Sequence, residues 1–256
     1  TESEADITVQ TSLLEARRIT GSISLFKSLQ QRHAQAMDAR AFFQDKVLEL
    51  RQRHVKHENT PYSLEPNCKE SPGGLRDLQV ILWVSKAAGL GRSWRELAES
   101  QIITRTEARQ LAEKERAFKD IRIRLHLHAG RREDRLVFDV QGPIADTFGF
   151  TSSAERRASE VLMQRYYWAA KAVTQLNSIL LLNIESRLFP QPLASRPVNE
   201  RFNEVNGMID IAHDDGFEQT PSAMLEIFLL LERYGELKGM TARTQRALWH
   251  ARFRID

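Results

Sequence analysis

Apolar residues recur at helical spacing along most of this chain, and the interruptions are as informative as the runs. Ile23, Leu25, Phe26 and Leu29 form one stripe. Phe42, Phe43, Val47 and Leu50 form another after Asp38, a residue suited to capping a helix start. Periodicity stops between His57 and Gly74, where Pro61, Pro66, Pro72, Gly73 and Gly74 forbid a helix. It resumes through Leu75, Leu78, Ile81, Leu82 and Ser85. Capping boxes at Ser12–Glu15, Ser93–Glu96, Thr104–Glu107 and Ser152–Glu155 predict helix starts, because the hydroxyl accepts an amide while the glutamate reaches back. Gly21 ends or bends the helix opened at Ser12. The helix from Thr104 carries Leu111, Phe118, Ile121 and Leu125 and ends near Gly130. Asp139 caps a short helix through Phe148. The helix after Ser152 runs to about Arg187, with Leu162, Tyr166, Ala169, Val173, Leu176 and Leu180 on one face.

Strand signals are few. Asp6-Ile7-Thr8-Val9-Gln10-Thr11 alternates like a strand. Residues 201–212 alternate around Asn206-Gly207, a dipeptide that favours a type I′ turn and so predicts a β-hairpin. Pro190, Pro192 and Pro197 mark a linker, Thr220-Pro221 opens a helix through Leu231, and Thr241 caps the last one. The predicted fold is mainly α, an antiparallel helical bundle with a small β-hairpin and C-terminal helices. Its expected divisions are a strand at 1–11, a helical domain at 12–188, a linker at 189–199, and a hairpin plus helices at 200–256. The chain shows no repeat of fixed period and no low-complexity tract.

Composition narrows the class. The 256 residues are 41% hydrophobic and 28% charged, enough apolar surface for a core and too much for a disordered chain. Cys68 is the single cysteine, which excludes a disulfide framework and a multi-cysteine zinc site. Lys and Arg number 37 against 34 Asp and Glu, and the resulting +3 gives no reason to expect nucleic acid or a membrane as partner. No apolar run approaches the ~20 residues of a membrane span, and Thr1-Glu2-Ser3-Glu4 is unlike a signal peptide. A soluble cytoplasmic protein is the simplest expectation. The absence of an initiator Met makes the chain read as a piece of a longer protein.

The segment Glu65-Pro66-Asn67-Cys68-Lys69-Glu70-Ser71-Pro72-Gly73-Gly74-Leu75-Arg76-Asp77 carries the most chemistry. It is a Pro/Gly-bounded loop running into a helix start. The glycines permit close backbone approach and offer unhindered amides, the helix start adds partial positive charge, and Lys69 and Arg76 add full charges. Together they favour an anion such as a phosphate. The plainer reading is a tight Gly-Gly turn with Asp77 stabilising the helix N-terminus. The spacing is neither a Walker A loop nor a dinucleotide fingerprint.

Pro61 to Pro66 and Lys69 to Asp77, with Thr8–Arg17, Asp134–Asp139, Met163–Tyr167 and Gly239–Thr244, resemble the bifunctional uridylyltransferase/uridylyl-removing family that modifies the nitrogen regulator PII. The Gly-Gly-Leu-Arg-Asp core also resembles the glutamine synthetase adenylyltransferases, but the Glu-Pro-Asn and Lys-Glu-Ser-Pro flanks favour the former. The resemblance implies a polymerase-β-like nucleotidyltransferase that moves UMP from UTP to a PII tyrosine with magnesium ions on paired carboxylates. A separate hydrolase domain removes the group, with glutamine as regulator. On that basis Lys69, Gly73, Gly74 and Arg76 are expected to face the triphosphate or the PII loop, with Ser71 a further binding residue and Asp77 either orienting Arg76 or favouring the helix N-terminus.

The departures shape the expectation. Gly21-Ser22 is the only Gly-Ser pair and no Asp-x-Asp follows it, so by family order the metal carboxylates precede Thr1. Residues 1–11 then read as a leftover strand of that catalytic core, with Asp6 either a third metal carboxylate or a turn residue. His213-Asp214 is the only His-Asp dipeptide and reads as chance; the hydrolase would begin beyond Asp256. The chain alone is therefore expected to hold no metal ligands and to be inactive. A non-catalytic helical interaction module is the remaining alternative.

Other candidates have bland readings. His54 and His57 share a helical face but suit a solvated basic helix end, and His126 and His128 diverge. Cys68 beside Lys69 is an incidental thiol. Tyr166, Tyr167 and Trp168 suit core and interface better than base stacking, and Arg122, Arg124, Arg131, Arg132 and Arg135 suit a surface paired with Glu133 and Asp134.

Overall fold

The computed structural model describes residues 6–190 and 194–254. The chain divides into two compact units, Thr1–Asn177 and Ser178–Asp256, and the longest helix runs through the division.

In the first unit Asp6 caps α1 (Ile7–Leu14), its carboxylate accepting the amides of Thr8 and Val9 at 2.6 and 3.2 Å. The expected strand at 6–11 is therefore a helix, and the alternation of Ile7, Val9 and Thr11 is overridden by an Asp in the N-cap position. Ser12 falls inside that helix, its hydroxyl donating to Thr8 O, so it opens nothing. After a break containing Gly21, Ser22 caps α2 (Ile23–Ala36), none of whose residues is buried. Asp38 caps α3 (Ala39–Lys56) as expected, and α4 (Leu75–Ala87) follows the Pro/Gly loop. Ser93 caps α5 (Trp94–Glu99). Thr104 and Glu107 form a complete capping box on α6 (Arg105–Ala129), which ends on Gly130 at φ +63°.

Val137, not Asp139, stands at the N-cap of α7 (Phe138–Thr147). The last helix of this unit, α8 (Ala158–Leu188), starts later than the Ser152 box implies, because the Ser152 hydroxyl accepts the amide of Ala158 six residues on. Leu78, Ile81, Leu111, Phe118, Leu162, Tyr166 and Val173 are buried and supply the interior.

The second unit holds a three-stranded antiparallel sheet of β1 (Ser195–Pro197), β2 (Phe202–Val205) and β3 (Met208–Ile211). Its β2–β3 hairpin turns through Asn206 and Gly207 at φ +52° and +78°, as the dipeptide predicts. The linker expected at 189–199 instead contributes β1, paired with β2 from Ser195↔Val205 to Pro197↔Asn203; Pro192 lies outside the described residues. Short α9 (Gly216–Gln219), then α10 (Ala223–Arg233) and α11 (Ala242–Ala251) complete the unit. Its core gathers Phe202, Ile209, Ile211, Phe217, Met224 and Ile227. Thr241 caps α11, and the buried Thr244 hydroxyl accepts the amide of Ile211 at 2.8 Å, so Gly239–Thr244 ties this helix to β3. Among the described residues no helix is long and apolar enough to cross a membrane.

Candidate functional site

The loop before α4 is built by its own side chains. Asn67 Oδ1 accepts the amides of Lys69 and Glu70 at 3.0 and 2.8 Å, and Ser71 Oγ accepts the amide of Asn67 at 2.9 Å. Cys68 N donates to Asp134 O and Leu136 N to Pro66 O, both at 2.8 Å, around an antiparallel Asn67↔Arg135 bridge. Glu65 then accepts the amide of Phe138 at the start of α7 and pairs with Arg135. Two segments that carry the sequence resemblance, 61–77 and 134–139, are thus stitched together.

Asp77 closes the loop. Its carboxylate has no solvent exposure and receives Arg53 Nη2 at 2.5 Å, His54 Nε2 at 3.0 Å and the amide of Gly73 at 2.7 Å. One buried charge therefore joins α3, the glycine turn and α4, with its lone pairs satisfied. The turn needs glycine twice over. Gly73 has φ +78°, and a Cβ there would lie 2.2 Å from Ala170 O on α8. A Cβ on Gly74 would meet three loop carbonyls at 2.9–3.0 Å.

The expectation that the turn offers unhindered amides to an anion is corrected by this geometry. Gly73 N is taken by Asp77, Gly74 N by Ser71 O, Leu75 N by Cys68 O and Arg76 N by Lys69 O. Ser71, Gly73, Gly74 and Asp77 are all buried. They frame the site and do not face outward. Lys69 and Arg76 are the two expected residues that do reach the surface, and Glu70 lies between them. Glu70 Oε1 stands 3.3 Å from Lys69 Nζ and 3.2 Å from Arg76 Nη2. Arg76 also donates to Gln79 Oε1 at 3.0 Å and lies 5.2 Å over the Trp83 ring. Burial alone would raise the Glu70 carboxyl; Arg76 and Lys69 outweigh it and hold Glu70 below the usual carboxylate range.

Sequence reasoning missed Arg53 altogether and read His54 as part of a solvated helix end. Their partner lies 24 and 23 residues further on, and the i, i+1 spacing of Arg53 and His54 carries no signal of it. His57 is half-buried with Nδ1 3.4 Å from Ser71 Oγ, and burial lowers its pKa. Cys68 is fully buried, and desolvation pushes its thiol up to about 12, which makes it unreactive.

Arg122, Arg131 and Arg132 pair with Asp134 and Glu133 as expected, whereas Arg124 and Arg135 find other partners. Arg122 and His126 hold Asp134 at 2.6 and 3.1 Å, Arg132 stands 3.7 Å from it, and Arg131 pairs with Glu133. Arg124 instead stacks on Phe148, 4.1 Å from its centroid. His128 is exposed. Burial would raise the Asp134 carboxyl, but Arg122, His126 and Lys69 bring it below the usual value.

Tyr166 is core. Tyr62, Met163, Tyr167 and Trp168 line an open cavity of about 440 Å³ on the face of α8, with Trp168 64% exposed. Asp6 is spent on capping α1 and Asp214 pairs with Arg243, so neither stands in a ligand cluster. Among the described residues no group of three His, Cys, Asp or Glu side chains could hold a metal ion.

The GlnD PII-uridylyltransferase family model matches residues 41–181, and the model for the third domain of uridylyltransferase GlnD matches 202–256. Proteins named bifunctional uridylyltransferase/uridylyl-removing enzyme are similar throughout. Those of Cupriavidus pinatubonensis and Cupriavidus metallidurans are 59% and 58% identical over 256 residues, all of this chain. That of Burkholderia mallei is 58% identical over 253 residues, 98% of the chain. The chain spans about 30% of the length of these relatives. No solved structure matches it.

Two outcomes follow from the carboxylates. Asp77→Ala leaves the Arg53 charge buried without its partner, and chemical denaturation should show a loss of about 3–5 kcal/mol. The lowered Asp134 carboxyl contributes stability above the ordinary value near 4 and loses it as pH falls through the folded-state value. The stability gap between wild type and Asp134→Asn should hold steady above about pH 5 and close below about pH 4. A gap independent of pH from 3 to 7 would contradict that assignment.

Proposed function

The chain belongs to the PII-uridylyltransferase family, and from that premise we propose that it is the central helical part of an enzyme moving UMP from UTP to a tyrosine of PII. One observation carries the reading: relatives bearing the uridylyltransferase/uridylyl-removing name match all 256 residues, that of Cupriavidus pinatubonensis at 59% identity. The removal reaction belongs, in this reading, to a hydrolase part outside the chain, with glutamine as its regulator. The magnesium carboxylates of the transfer reaction also lie outside it. The enzyme acts in the cytoplasm, with PII and UTP as partners.

Within that enzyme the loop supplies side chains to the cleft wall. Lys69 and Arg76 meet the triphosphate or the PII loop, and Ser71, Gly73, Gly74 and Asp77 hold them in place. The support is geometric: the frame is buried and its amides are paired, while the two cations stay partly exposed on top of it. Rigid presentation of this kind lowers the entropy lost on binding. Arg76 offers a planar fork suited to phosphate oxygens, and Lys69 offers a point charge.

The test is Arg76→Ala, with Lys69→Ala beside it, in the intact enzyme. Either change should raise the KM for UTP or lower PII turnover by about tenfold, the loss of one charge-assisted contact. Unchanged UTP affinity together with unchanged PII turnover in both variants rejects the assignment.

A further inference from the structure

We propose that the Glu70 carboxylate is an internal stand-in for a phosphate group, occupying the anion position of a cluster formed by Arg53, Lys69 and Arg76 until a polyphosphate replaces it. This rests on the reading that Lys69 and Arg76 meet a triphosphate, and it adds Arg53 as a third cation and Glu70 as the competitor.

The carboxylate is too small for the cations around it. Oε1 serves both Lys69 Nζ at 3.3 Å and Arg76 Nη2 at 3.2 Å, and Oε2 is 3.9 Å from Arg53 Nε. Well-made charge-assisted hydrogen bonds are ~2.7–2.9 Å, so none of the three contacts is at full strength. Arg53 is nine-tenths buried, and Asp77 takes only its Nη2. Its Nε and Nη1 find no hydrogen-bond partner among the described residues. Buried guanidinium donors without acceptors are rare and unfavourable, and here one of them, Nε, lies 3.9 Å from Glu70 Oε2. A phosphate carries three terminal oxygens in a tetrahedral array, where the carboxylate has two in a plane. It can serve the three cations separately.

The arrangement also permits the exchange. Glu70 is anchored by its backbone, whose amide donates to Asn67 Oδ1 at 2.8 Å, so its side chain can leave while the loop stays. That side chain is 29% exposed, against 15% for Lys69 and 10% for Arg53, and it opens to solvent without crossing the core. Arg76 keeps Gln79 and the Trp83 face as supports when Glu70 departs. Glu70 remains ionised under the influence of Arg76 and Lys69, so an incoming anion competes with a full charge. The chemistry recognised is that of a phosphoryl group on a polyphosphate chain. Access is set by local competition and requires no large movement.

The experiment titrates the 256-residue chain with inorganic tripolyphosphate by calorimetry at low salt, for wild type, Glu70→Gln, Glu70→Asp, Lys69→Ala and Arg76→Ala. Circular dichroism checks that each variant is folded. Removing the competing charge should tighten binding by about tenfold in Glu70→Gln, with a smaller gain in Glu70→Asp, whose carboxylate is drawn back by one methylene. The Arg53 Nε–H resonance should shift on titration. Lys69→Ala and Arg76→Ala should weaken binding. If those two weaken it while both Glu70 variants bind no tighter than wild type, the stand-in role is overturned and the cation reading survives. If neither cation matters, the underlying reading fails. No binding by wild type or by Glu70→Gln overturns the proposal outright.

Discussion

A single carboxylate taken wholly out of water organises the most informative region of this chain. Asp77 is stable in the interior only because Arg53, His54 and the Gly73 amide surround it, and those partners come from one helix, a turn and the next helix. Removing any of them would leave a charge or donor stranded. The loop geometry depends on this arrangement. With Gly73 pinned, the turn adopts a left-handed backbone against Ala170 that only glycine fits, and the amides that follow close onto loop carbonyls.

The consequence for chemistry is a division of labour. The backbone of the glycine turn is committed to the fold and cannot cradle an anion in the manner of phosphate-binding glycine loops. Charge is offered by side chains set on that frame, with Lys69, Glu70 and Arg76 as the partly exposed members. A second buried carboxylate, Asp134, repeats the principle with Arg122 and His126, and its own carbonyl accepts the Cys68 amide. The basic residues of this region therefore act first as partners for buried acids. In the second unit, Thr244 performs a neutral version of the same task, its hydroxyl satisfying a β3 amide in the core.

Most helices were legible because their signals are local: an Asp or Thr at the cap, a left-handed glycine at Gly130, apolar residues three and four apart. The hairpin was legible from Asn206-Gly207 for the same reason. Where local signals compete, the sequence misleads. Ile7, Val9 and Thr11 alternate like a strand, yet Asp6 starts a helix. Ser152 looks like a cap followed by a box, yet its hydroxyl reaches forward to Ala158. The proline-rich stretch reads as a linker, yet Ser195–Pro197 completes a sheet as an edge strand, where a missing N–H is tolerated. In the site, the residue types were legible and their orientation was not. Gly73 and Gly74 were visible as a tight turn. That Asp77 faces inward toward Arg53 and His54 depends on a pairing across more than twenty positions, which no spacing rule reveals.

If Asp77 anchors the loop, the glycine turn is sealed, and native-state hydrogen exchange measures that directly at the amides of Gly73, Gly74, Leu75 and Arg76. Held by Asp77 and the loop carbonyls, these four should exchange as slowly as the buried amides of α4, through the same cooperative opening. Exchange at the rate of an exposed loop, while the α4 interior stays protected, would mean that the turn is open and that the anchoring role assigned to Asp77 is wrong.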